Sequence, residues 1–151
     1  ASVATELLRD RLRVALLGSD GVIFRPVNGE STGAASRLLA TVTDVEPSGR
    51  SLLEDCLADP DALGTARTVV AGLGLLRPRD AAALVAATTR VADIDALVPD
   101  ARAFHLPAEI VGAHEEACQL LATSGWNVVT FGPDNSVPQA WSRLVAQREA
   151  R

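Results

Sequence analysis

The 151-residue chain contains no lysine, no methionine and no tyrosine, and all 14 of its basic residues are arginine. Without lysine, a phosphate-cradling loop of the Walker type is excluded, because that chemistry needs one. Cysteine occurs only as Cys56 and Cys118, far apart. Two such thiols do not make a disulfide framework and are expected reduced, in a cytoplasmic protein. No apolar run approaches the ~18–20 residues of a membrane span, and Ala1–Asp10 does not read as a signal peptide. Nothing in this segment therefore inserts into a membrane. With a net charge of −5, the chain lacks the excess positive charge of a nucleic-acid binder. What is present is apolar: 48% hydrophobic against 22% charged excludes a core-less disordered chain. The length fits a single domain over residues 1–151, since domains run to ~100–200 residues. The missing initiator methionine has two readings, removal before Ala1 or a piece of a longer protein, and the second is favoured here.

The patterning predicts a helix over 1–9, a strand over 12–17, a turn at Gly18-Ser19-Asp20-Gly21 and a returning strand over 22–27. Pro26 places that second strand at a sheet edge. A polar loop, 28–33, precedes a helix over 34–42, and a shorter helix is expected over 51–58. Ala66–Gly72 reads as a buried strand, and Pro78 sits in the first turn of a helix reaching Arg90. Segment 91–100 is ambiguous, and 101–106 reads as a fourth strand. A helix follows Pro107, with Ile110, Ala113, Ala117, Leu120 and Leu121 as its apolar stripe. Trp126–Phe131 is a fifth strand, 132–135 its exit loop, and 137–148 a closing helix with Trp141, Leu144 and Val145 on one side. Strands separated by helices imply parallel pairing through right-handed crossovers. The expected fold is an α/β protein, an open and mostly parallel sheet of about five strands with helices on both faces.

Few motifs point to chemistry. Leu17–Phe24 resembles the first motif of haloacid-dehalogenase phosphatases, but Gly18 stands where the nucleophilic aspartate would be, and glycine cannot attack phosphorus. Gly72-Leu73-Gly74 follows a strand as a dinucleotide loop would, yet the third glycine is replaced by Arg77. His114 and Cys118 share a helix face at i, i+4, but a zinc site needs further ligands. A buried histidine beside an inert thiol is the plainer reading. No histidine is placed to activate Ser19, Ser31 or Ser36. Asp93, Asp95 and Asp100 read as a solvated face, and the two tryptophans as core or interface anchors. No catalytic, cofactor-binding or metal-ligating residue is assigned.

From its first helix onward, the series of elements resembles a von Willebrand factor A domain. The motifs Leu12–Gly21, Thr68–Gly72, Leu120–Phe131 and Ser136–Leu144 bring it nearer to the C-terminal part of the domain of unknown function 58 family. The ending Gly125-Trp126-Asn127-Val128-Val129, followed by Ala140-Trp141-Ser142-Arg143-Leu144, is similar to a frequent close of that family, and the resemblance spans nearly the whole chain. It implies a non-enzymatic protein-interaction module. The implied partner is a MoxR-type AAA+ ATPase, and the implied role lies in assembling or maturing other proteins, with membrane association through upstream segments.

The departures concern the metal. Von Willebrand A domains hold a divalent cation through Asp-x-Ser-x-Ser after the first strand, a threonine in a later loop and an aspartate after the fourth strand. Oxygen ligands of that kind suit Mg²⁺. The chain begins after the first of these motifs. Thr32 matches the family's threonine, where it also suits a helix N-cap. Val69–Gly74 carries no carboxylate. The divalent metal site is therefore expected to be incomplete, with no cofactor implied.

Without the first strand, two central edges would be left unpaired, which sheets avoid. Three arrangements relieve this: an upstream segment supplies the strand, the second strand closes on the fourth, or a second copy of the chain lends one as a homo-oligomer. The candidate interaction rim comprises Ser19, Asp20, Thr32, Gly72, Gly74, Asp134 and Asn135, at the C-terminal ends of the strands, where open α/β sheets bind ligands. The rival reading is a small-molecule or phosphate-handling enzyme working at the same rim.

Overall fold

Apolar residues in this chain come in short runs, too brief for long helices and suited to strands buried on both faces. The computed structural model describes residues 15–18, 21–24, 33, 36, 37, 40, 41, 53, 57, 63 and 66–149. The chain divides into two units, Ala1–Ala62 and Leu63–Arg151.

In the first unit, β1 (Leu16–Gly18) pairs antiparallel with β2 (Gly21–Phe24). Gly18 lies opposite Gly21, as a turn across 18–21 requires, and the register shifts between Leu16 and Leu17 as at a bulge. Ser36, Arg37, Ala40 and Thr41 are helical, within the helix expected over 34–42. Gly33 precedes them at φ +93°, a left-handed conformation that favours glycine, and its carbonyl accepts from Arg37 N at 3.0 Å. Leu53 and Leu57 are also helical. The helix expected over 1–9 and the edge position of Pro26 lie outside the described residues.

The second unit runs β3 (Thr68–Gly72), α1 (Pro78–Ala87), β4 (Asp93–Pro99), a 3-10 turn (Ala101–Phe104), α2 (Ala108–Thr123), β5 (Asn127–Phe131) and α3 (Val137–Glu149). Its sheet has the order β3-β4-β5, and both pairings are parallel. Two successive right-handed crossovers in one direction place α1 and α2 on the same face, and these helices pack on each other. The other face belongs to α3, whose Ala140 and Leu144 form a core with Leu97 and Val129, flanked by Phe131 and Trp141. Side chains alternate along a strand, so Ala96 and Val98 turn to the α1/α2 side. There they are buried with Ala81, Leu84, Ala117 and Leu121. Fully burying Leu121 or Leu144 contributes ~1.5–3 kcal/mol each. The protein is thus an α/β fold with a three-stranded parallel sheet flanked by helices. Its five described strands fall into two sheets, not one.

Several expectations need correction. The 101–106 segment is not a strand: Ala101–Phe104 is a 3-10 turn, capped by Asp100 Oδ1, which accepts from Arg102 N at 3.1 Å. The ambiguous segment 91–100 contains β4, the central and most buried strand of the three-stranded sheet. Its aspartates and Pro99 break the apolar pattern that marks a buried strand, so periodicity alone misreads it. Asp95 is not on a solvated face; it is buried. Ile110, expected in the α2 stripe, is exposed, and His114 holds a buried place on that helix instead. β3 is partly exposed, with Thr68 and Gly72 open at its ends.

Candidate functional site

All three parallel strands end on the same side. The loops 73–77, 100–107 and 132–136 therefore share one rim, the end of an open α/β sheet where ligands dock. Gly72, Gly74, Asp134 and Asn135 lie there. Two strand spacings separate the β3 and β5 exits, about 10 Å. Ser19, Asp20 and Thr32 lie outside the described residues.

The polar groups of this rim are largely committed to holding it together. Asn135 closes the turn after β5: its amide and carbonyl pair with Gly132 at 3.1 and 2.8 Å, and its Nδ2 donates to Thr130 O at 2.7 Å. Arg143 donates to the same carbonyl at 2.7 Å. Asp134 is exposed in that turn. A Cβ on Gly72 or Gly74 would meet nothing within 4 Å, so no close backbone approach requires glycine at either. The start of α1, where a phosphate would dock after such a loop, already holds a carboxylate. Asp80 Oδ2 accepts from Arg77 N at 3.1 Å and Nε at 2.9 Å, and Oδ1 accepts from the guanidinium at 3.2 Å. Burial pushes the Asp80 carboxyl upward, but the hydrogen bonds from Arg77 and the charges of Arg77 and Arg79 outweigh it and hold it below its ordinary value.

His114 is the buried centre of the rim. Its Nδ1 accepts from Leu76 N at 3.0 Å, and its Nε2 lies 3.0 Å from Pro99 O. A carbonyl only accepts and an amide N–H only donates, so the ring is neutral with its proton on Nε2. Cys118 Sγ lies 3.5 Å from the same Nε2. That nitrogen is already a donor and cannot take the thiol proton. Burial, and secondarily the charge of Glu115, pushes the thiol up, away from the thiolate a nucleophile needs. Both ring nitrogens being occupied, His114 is not a metal ligand. Among the described residues no cluster of three or more His, Cys, Asp or Glu could hold a metal ion.

Between these fixed groups, apolar side chains stand open. Leu75 after β3, Phe104 after β4, Ile110 in the first turn of α2 and Val137 at the start of α3 are 43–47% exposed. They are the exposed large apolar residues of the described chain, and all four sit at this one end of the sheet. Sequence reasoning missed them, having read the rim for polar atoms and assigned Ile110 to the core.

The opposite end of the sheet carries a polar network that the sequence did not reveal. Asp95 Oδ1 accepts from Asn127 Nδ2 at 3.0 Å, while Oδ2 has no hydrogen bond and faces Arg148 at 3.5 Å. Arg148 also reaches Asp93 at 3.4 Å and donates to Thr68 Oγ1 at 3.4 Å. The available signal was Asp93-x-Asp95, which on a strand puts both acids on one face. The network joins all three strands to the last turn of α3.

No helix among the described residues is long and apolar enough to cross a membrane. Comparison of the chain with protein-family models, with curated proteins and with solved structures finds no match.

Proposed function

We propose that this chain is a protein-interaction module of the von Willebrand A type, corresponding to the C-terminal part of a domain of unknown function 58 protein. It docks a protein partner on the C-terminal rim of its parallel sheet. The observation that carries the reading is the placement of Leu75, Phe104, Ile110 and Val137, exposed together at one end of the fold. Apolar side chains that cluster on a surface mark interaction sites more often than singly scattered ones do. The reading is supported, at the level of an α/β fold, by the sequential parallel order of β3, β4 and β5 with helices between them. Through that family, the partner is a MoxR-type AAA+ ATPase and the process is protein assembly or maturation.

The test uses the purified chain and the MoxR-type ATPase encoded by the same genome. Wild type binds, and the double variant Leu75→Asp/Phe104→Asp loses at least tenfold in affinity while its melting temperature stays within a few degrees. Equal binding by both proteins removes the rim from the interaction. Stabilisation by ATP at 100 times its dissociation constant, worth ~2.7 kcal/mol, or turnover of a generic phosphoester, would establish the enzyme reading instead.

A further inference from the structure

The geometry points to a pH-sensitive clasp: neutral His114 holds the β3–α1 loop closed against the exit of β4, and protonation of the ring releases that loop.

The clasp joins three elements through one buried side chain, 3% exposed. α2 supplies the ring, loop 73–77 supplies the Leu76 N–H, and β4 supplies the Pro99 carbonyl. Only the neutral tautomer with its proton on Nε2 satisfies both bonds. In the imidazolium both nitrogens donate. Nδ1–H would then point at the Leu76 N–H, donor against donor, in a space where an unmade hydrogen bond is costly. The Pro99 contact survives protonation, because Nε2 remains a donor. The release is therefore confined to the Leu76 side, the loop that carries exposed Leu75.

The charged groups around the ring leave this polarity intact. Asp80, at the start of α1, is occupied by Arg77. After β4, Asp100 caps the 3-10 turn, and Arg102 pairs with Glu115 of α2. On its own helix the ring is followed by Glu115 and faces Cys118, whose thiol is pushed toward its protonated form. No carboxylate bonds either ring nitrogen, so none is placed to take up the new proton. The inference concerns the loop itself and does not depend on what the rim binds.

Amide hydrogen exchange on the full chain, corrected for intrinsic rates, tests it. Protection of the Leu76 amide is expected to fall at least tenfold between pH 7.5 and pH 5, with amides of β4 unchanged. In His114→Gln, whose side chain offers one acceptor and one donor without titrating, Leu76 protection stays constant over that range. The ¹⁵N shifts of the wild-type imidazole supply a second readout that needs no variant. They should show the Nε2–H tautomer at neutral pH and a titration that coincides with the loss of Leu76 protection. Imidazole titration that leaves Leu76 protected, the opposite tautomer, or an identical pH dependence in His114→Gln would overturn the clasp.

Discussion

The two ends of the parallel sheet are built from opposite materials. At the N-terminal end of the strands, Thr68, Asp93, Asp95, Asn127 and Arg148 form a polar network that ties every strand to α3. At the C-terminal end, polar groups are folded inward around His114, Asp80 and Asn135, while Leu75, Phe104, Ile110 and Val137 face outward. A network whose members are turned toward one another has little left to offer a partner. A rim whose polar atoms are consumed internally offers apolar surface and backbone instead. The contrast is between an end that is cross-linked by polar groups and an end that leaves apolar side chains open.

The sharpest way to break that contrast is Arg148→Ala. It leaves Asp95 Oδ2 buried without its cation. Losing one partner of a buried pair typically costs ~3–5 kcal/mol. Arg148 is itself 35% exposed, so about 2 kcal/mol is expected, read from chemical denaturation. A midpoint that does not move would show that the N-terminal end holds nothing. Asp80→Ala tests the inward polar groups of the rim and should cost ~1 kcal/mol, the usual loss for an N-terminal cap.

The pH dependence of that second effect has a definite sign. The folded-state pKa of Asp80 is lowered. Its contribution is thus complete above the unfolded carboxyl value of about 3.9 and fades as pH falls through the lower folded value. Wild type and Asp80→Ala should therefore differ at neutral pH and converge in strong acid. A gap that does not shrink as acid is added would contradict the assignment.

Smaller still is Phe104→Ser, which removes an exposed ring from the C-terminal rim. Stability should change by less than ~0.5 kcal/mol, while partner binding weakens. A large loss of stability would return Phe104 to the core and erase the distinction between the two ends. Last comes Glu115→Gln. The hydrogen bond from Arg102, with its charge, lowers the Glu115 carboxyl, yet the pair lies in solvent. The thermal midpoint should not move measurably between wild type and variant. A clear shift would mean that the pair braces the loop after β4.

Much of the second unit is legible in the sequence. α1, α2, β5 and α3 announce themselves by helical spacing, by Pro78 and Pro107 at helix starts, and by the Trp126–Phe131 run. β4 does not, because its aspartates mimic a solvent-facing turn. Only the company of Asn127 and Arg148, 32 and 53 positions further along than Asp95, makes burial of that acid tolerable. The rim was half legible. Gly72, Gly74, Asp134 and Asn135 lie just at or beyond the strand ends, but the apolar residues beside them were not recognised. A leucine after a strand carries no mark of exposure; exposure depends on what else arrives nearby.

The sequence by itself determined the class of the fold. The alternation of short apolar runs with helical stripes leaves a parallel sheet with crossover helices as the arrangement that buries both. Tertiary structure decided what each end of that sheet is made of. Burial and polar satisfaction are properties of neighbours brought together from distant positions. His114 acquires its proton position from Leu76 and Pro99, and Asp95 its tolerance from Asn127 and Arg148. No local pattern encodes those meetings.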